Sequence, residues 1–234
     1  LFTLAATKEN SFAAFALGKL YLAGDAALPR DPAAALKWLT YAAELGNQFA
    51  QYRLGKLLLK GDDGIPKDVI TAIRWLTAAA KQENGYAEYA LALVYLTGED
   101  APKDSVKALS LLKRSAGRGN QFAQYRLGKL LLQGEDAPKD VKAAIRWLTA
   151  AAEQGNQYAQ YALGKLYLLG KEVPKDRSSA IKWFQLAADQ GNEYAQYFLK
   201  HMDDRLGQPP VAAVISLFHH LANIFQEQNQ PPPS

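Results

Sequence analysis

The 234-residue chain is 49% hydrophobic and 21% charged, with 17 Gly and 11 Pro, a composition that builds a core and excludes disordered and collagen-like classes. No apolar run reaches the roughly 18 residues of a membrane-spanning helix. The 27 basic and 23 acidic residues leave +4, too little to imply nucleic acid unaided, and zero cysteines remove disulfides, thiolate metal sites and cysteine nucleophiles while favouring a reducing, cytoplasmic setting.

In chain order, Leu1–Ala6 aligns with Trp38–Ala43, so residues 1–9 read as the end of a second helix in a partial repeat. No initiator Met precedes it, and the expectation is a piece of a longer protein from which a signal peptide is equally compatible with removal. Five full repeats follow. The leucine of a Leu-Gly pair, or of Leu-Ala in repeat three, falls at Leu17, Leu54, Leu91, Leu127 and Leu163, with an echo at Leu199, in steps of 37, 37, 36, 36 and 36. A second column reads Trp38, Trp75, Leu111, Trp147, Trp183, always 16 residues before the next leucine. The extra residue of the longer repeats therefore sits between Gly24 and Pro29 and between Gly61 and Pro66, a surface loop that tolerates insertion.

Each unit predicts two helices. In repeat five the first runs from about Asn156 to Leu169 and stops at Gly170 in the left-handed conformation, and Asp176 caps a second that buries Ala180, Trp183, Phe184, Ala187 and Ala188 before Gly191. Repeat three departs from the pattern with Ala92, Leu111 and Glu83-Asn84 where others have Gly, Trp and Gly-Asn; the expectation there is that Asn84 or Gly85 takes the left-handed role. Residues 192–204 form a final half repeat, and about Val211 to Gln228 predict an amphipathic helix capping the exposed end. The domain reading is 1–204 repeat array, 205–228 capping helix and 229–234 Pro-rich disordered tail. The fold class is all-α, a right-handed solenoid of helical hairpins with about 13 helices, incomplete ends included.

The spaced positions of Ala159 to Gly170, then Pro174, Asp176, Ala180, Trp183, Ala187-Ala188 and Gly191, resemble the Sel-one-like repeat, a tetratricopeptide-related family, over roughly residues 1–202. In tetratricopeptide-like arrays the first helices line a concave face, so the resemblance implies a groove. Separately, Ser216–Phe225 is similar to the end of repeat regions attached to mobilisation relaxases of conjugative elements in Gram-positive bacteria, which implies a bacterial conjugative context.

No G-x-S-x-G, phosphate-cradling glycine loop or H-E-x-x-H is present, and the expectation is no enzyme, no cofactor and no metal. His201, His219 and His220 are the only histidines, and adjacent helical residues diverge by about 100°. Asp31, Asp68, Asp104, Asp140 and Asp176 recur at helix starts, which marks caps.

Binding is better supported. A stripe at i, i+4, i+7 of the first helices reads Phe15-Lys19-Leu22, Tyr52-Lys56-Leu59, Tyr125-Lys129-Leu132 and Tyr161-Lys165-Leu168, with Leu93 interrupting the lysines in repeat three. Arg53 and Arg126 replace the alanines at 16, 90 and 162, so packing does not demand them, and arginine grips carboxylates bidentately. The partner-binding candidates are Tyr52, Arg53, Lys56, Tyr125, Arg126, Lys129, Tyr161 and Lys165. A tyrosine in every repeat is also what packing between neighbours would select. The lysine amines are expected in solvent and Trp147 and Trp183 buried between helices. The function expected is a non-catalytic scaffold, a monomer, binding a protein or acidic peptide in the groove. The alternatives are nucleic-acid binding, as the accessory region of a relaxase, and dimerisation through the cap helix.

Overall fold

The computed structural model describes residues 10–25, 28–61 and 64–201. Among them there are eleven α-helices and no strand: α1 Ser11–Ala23, α2 Pro32–Glu44, α3 Gln48–Lys60, α4 Val69–Lys81, α5 Gly85–Thr97, α6 Ser105–Gly117, α7 Gln121–Gln133, α8 Val141–Glu153, α9 Gln157–Leu169, α10 Arg177–Asp189 and α11 Glu193–His201. The expected partial repeat at 1–9, the capping helix, the Pro-rich tail and the relaxase-like segment lie outside the described residues. The fold is the expected all-α solenoid of helical hairpins. The chain divides into two compact units, through Leu163 and from Gly164 onward.

Two kinds of connection join the helices. Between a second helix and the next first helix only three residues intervene, because one residue serves both ends. Asn47, Asn84, Asn120 and Asn156 each donate their backbone N–H five residues back, to Ala42, Ala79, Ser115 and Ala151, closing the preceding helix. The same asparagine side chains then accept from the first turn of the next helix, as Asn47 does from Phe49 and Ala50 at 3.0 Å. A double-ended cap leaves no slack for an inserted residue.

This closure requires a left-handed residue just before the asparagine, and Gly46, Gly119, Gly155 and Gly191 supply it. In repeat three Glu83 itself takes φ 65. The expectation that Asn84 or Gly85 would do so is corrected: Asn84 must stay extended, at φ −71 and ψ 102, to cap α5, and Gly85 is already the first helical residue.

The second connection absorbs the length variation. Gly24 and Gly61, in the long loops, stop their helices at φ 67, ψ 150 and φ 63, ψ 131, whereas Gly98 and Gly134, in short loops, have ψ 10 and 13. One residue more or less is met by turning ψ of the glycine. Each loop ends on the expected cap: Asp31, Asp68, Asp104, Asp140 and Asp176 accept from the N–H three residues on at 2.9–3.0 Å.

In the first unit, α1 with α2, α3 with α4, α5 with α6 and α7 with α8 pack as hairpins, and α2, α4 and α6 also pack on the first helix that follows each of them. The core is built from Ala50, Leu54 and Leu58 of α3 against Ala72, Leu76 and Ala79 of α4, and their equivalents. A Cβ on Gly55 would come within 2.6 Å of Leu76 Cγ, so glycine sets how near the paired helices approach. The second unit repeats the device with Gly164 under the Phe184 ring, which also stacks on Phe198 of α11 at 5.2 Å between centroids.

The tryptophans correct the sequence expectation. Trp147 and Trp183 are half-buried, while Leu148 and Phe184, one residue on, are fully enclosed. The tryptophan lies at the edge of the interface between helices, and Lys182 lies 5.7 Å from the Trp183 ring centroid.

Candidate partner-binding face

A first helix has its core arc fixed by the alanine, leucine and glycine columns. In α3 these are Ala50, Leu54, Gly55 and Leu58, together with Gln51, all buried. At 100° per residue the arc pointing away from them holds Phe49, Arg53, Lys56 and Lys60. The predicted stripe Tyr52-Lys56-Leu59 is rotated off this arc, since Tyr52, Leu59 and Leu132 lean on the core. The phase error arose from reading i, i+4, i+7 from the tyrosine; starting at Phe49 gives the exposed lane.

The tyrosines form the floor of that face. Tyr52 packs on Tyr86 of the next repeat at 5.9 Å between centroids, Tyr89 on Phe122 at 6.3 Å and Tyr125 on Tyr158 at 6.0 Å. Burial pushes the phenol pKa of Tyr52, Tyr89 and Tyr125 up, against the opposing pull of Arg53 at Tyr52 and of Arg126 at Tyr89 and Tyr125. Of the outer rings Tyr86 is 55% exposed and Phe122 37%, Tyr158 is half-buried, and Phe49, which packs on Phe15, is 49% exposed, a lane of aromatic surface that the sequence reading missed although its column, five residues before each leucine, is as regular as the others.

Arg53, Lys56, Arg126 and Lys129 are half-buried beside these rings. The Lys56 amine sits 6.0 Å from the Tyr52 centroid. Burial holds its pKa below the ordinary lysine value, with the neighbouring Arg53 and Lys60 acting in the same direction. Among the described residues no carboxylate lies within ion-pair distance of Arg53, Lys56 or Arg126. The Nε atoms of both arginines are buried without an acceptor. Arg126 is felt by Asp136, whose carboxylate is committed to Lys103 at 2.8 Å and the Ser105 hydroxyl at 2.7 Å. Of the other candidates, Tyr161 is buried in the first unit and Lys165 is half-buried in the second, where burial lowers its pKa.

A polar ladder runs behind this face. The Gln51, Gln124 and Gln160 amides donate to the carbonyls of Ala43, Ala116 and Ala152 at 3.0–3.1 Å. Gln82 and Gln154, at the C-terminal ends of α4 and α8 in the same hairpins, donate to Gln51 and Gln124 in turn, at 2.9 and 2.7 Å. Repeat three breaks the pattern: Glu88 replaces glutamine and is 0% exposed. Arg118, in the column of Gln82 and Gln154, faces it at 3.3 Å, and Arg114 reaches it at 2.6 Å while donating to Ala80, the carbonyl a glutamine would have taken. Glu88 in a glutamine column was the signal available in the sequence.

The Sel1 repeat family model matches residues 11–47, 48–84, 85–120, 121–156 and 157–192, and the chain belongs to that family. It is 34% identical to a protective antigen present in uropathogenic Escherichia coli strains that displays an SLR fold, with TM-score 0.78 over 88% of this chain and 44% of the antigen. It thus spans less than half of that relative. A Sel1 repeat protein from Oxalobacter formigenes is 30% identical, with TM-score 0.76 over 86% of this chain and 78% of its own. A putative Sel1 repeat protein of Klebsiella pneumoniae shares the fold at 19% identity and TM-score 0.54, over 86% and 96%. No curated protein matches the chain. Sel1 repeats are generally non-catalytic scaffolds that bind protein partners. No helix among the described residues is long and apolar enough to cross a membrane.

Proposed function

We propose that the chain is a non-catalytic scaffold that binds an acidic segment of a protein partner across the exposed arc of its first helices. The observation that carries this reading is the pairing of Arg53 with Lys56 beside the Tyr52 and Phe49 rings, with no carboxylate in reach among the described residues. Two like charges held together on partly desolvated stems raise each other's free energy, and an anion relieves it. Aromatic surface next to them favours a segment with apolar as well as acidic residues. Arg126 and Lys129 occupy the equivalent positions on α7; Tyr52 and Tyr125 support the face from below, and Tyr161 and Lys165 are the counterparts in repeat five.

The test is charge reversal. Lys56→Glu with Lys129→Glu should leave the melting curve within about 0.5 kcal/mol of the parent, because surface changes are generally that small. The same variant should lose binding of fluorescein-labelled Asp/Glu-Leu peptides in anisotropy titrations. Retention of those peptides by the variant would move the working surface elsewhere. Binding of single-stranded oligonucleotide in their place would favour nucleic acid.

A further inference from the structure

Repeats two and four are near copies. Residues 46–59 and 119–132 have the same 14 residues in the same order, and 72–80 matches 144–152. Core positions explain part of this. They do not explain Arg53 and Arg126, where repeats one, three and five carry alanine. On the first helix the identity runs from the cap through Leu59 and Leu132, the partly exposed Arg53 and Arg126 included, and ends at Lys60 against Gln133; on the second helix the exposed Arg74 and Arg146 are the same, while Ile70 against Lys142 and Lys81 against Glu153 have diverged. Repeat three lies between them, and its equivalent lane reads Tyr86, Ala90, Leu93 and Thr97, with no charge.

Resting on the reading above, we propose that the first unit carries two equivalent carboxylate sites, one on α3 at Arg53 and Lys56 and one on α7 at Arg126 and Lys129, separated by an apolar step on α5, and that its partner is a single extended segment with an acidic–apolar–acidic pattern. Consecutive first helices meet on this face through the Tyr52–Tyr86 and Tyr89–Phe122 rings, and a helix with its side chains is about 10 Å across, so two repeats span about 20 Å. An extended chain rises about 3.3 Å per residue, which places the two acidic positions about six residues apart with an apolar side chain over Tyr86 midway. Charge complementarity selects the ends and the exposed ring the centre. Two linked sites bind the segment more tightly than either alone, because the second contact forms at high effective concentration.

The probes are three synthetic peptides titrated into the full chain by calorimetry: one Asp-Glu pair, two pairs six residues apart around a Leu-Pro spacer, and two pairs three residues apart. The single pair should bind two sites per chain. The six-spaced peptide should bind one per chain at least about tenfold more tightly, and the three-spaced peptide no better than the single pair. Arg53→Ala and Arg126→Ala each install the residue that other repeats carry at that position, so the fold is kept, as circular dichroism will verify. Each should leave one site for the single pair and return the six-spaced peptide to single-pair affinity. One site per chain, or a loss confined to one of the two arginine variants, overturns the two-site proposal while the acidic-segment reading stands. Failure of all three peptides to bind overturns both.

Discussion

At Glu88 the chain makes a substitution that a polar ladder tolerates only as a set. A glutamine can donate and accept, so Gln51 bonds the Ala43 carbonyl and still receives Gln82. A carboxylate only accepts, and when fully enclosed it needs cations. Arg114 serves the Ala80 carbonyl that lost its glutamine donor, and Arg118 puts a cation where the neighbouring repeats place a neutral glutamine donor. Arg118 also holds Glu83 at 2.9 Å, across the one non-glycine residue with positive φ among those described, and that pairing keeps the Glu83 carboxyl below its usual range. Arg114→Ala should therefore cost about 2–3 kcal/mol, less than the full penalty of stripping a buried charge because Arg118 remains and Arg114 is itself half in water. The set Glu88→Gln, Arg114→Ala, Arg118→Gln, which restores the ladder of the neighbouring repeats, should lie within about 1 kcal/mol of the parent. Urea unfolding of the two variants checks this. Equal loss in both would mean that the ladder and the charge cluster are not interchangeable.

Helices and their caps account for most of what could be read from the sequence. The period, the alanine and leucine columns and the aspartates at helix starts are local or repeated signals, so they predicted hairpins, loop lengths and caps as found. The depth of a side chain was less legible. Tryptophan is a large apolar residue in a regular column, and only the packing of α8 shows that Leu148 faces the core centre while Trp147 lies at its edge. Glu83 and the exposed ring lane were missed for a related reason: both depend on which element comes next, information that a motif within one repeat does not contain.

The caps also make stability depend on pH at the element scale. Asp68 is held below its ordinary pKa chiefly by the Thr71 backbone N–H, and Asp176 by the Ser179 hydroxyl and then its N–H. A group whose pKa is depressed by folding contributes stability above its unfolded pKa, about 3.9, and loses that contribution as pH falls through the folded value. The melting temperature should be flat in this respect from pH 7 to about 5 and fall below about 4. Asparagine caps nearly as well without titrating. The double variant Asp68→Asn, Asp176→Asn should keep the neutral-pH melting temperature and show a shallower acid decline, as thermal scans across pH will report; an unchanged acid slope would assign the decline to other carboxylates.

On the scale of the molecule, a repeat array is held together by contacts between neighbours, so the consequence of a lesion depends on its place in the row. Leu39 and Leu112 are both fully enclosed second-helix residues, the first in repeat one and the second in repeat three. Replacing either with alanine removes similar apolar volume, at about 2–5 kcal/mol. Leu39→Ala should loosen the N-terminal repeats and leave α5 to α8 protected. Leu112→Ala removes the anchor between repeats two and four, so amide exchange should quicken on both sides of it, in α3 to α8. The two changes then separate stability from recognition. Under native conditions Leu112→Ala should weaken the six-spaced acidic peptide more than the single-pair peptide, because each site survives within its own hairpin while their spacing becomes variable. Leu39→Ala should affect neither peptide. Exchange that spreads equally from both lesions would show that the first unit unfolds as one block, and the spacing between the arginine-bearing repeats would then be a property of the whole unit and not of repeat three.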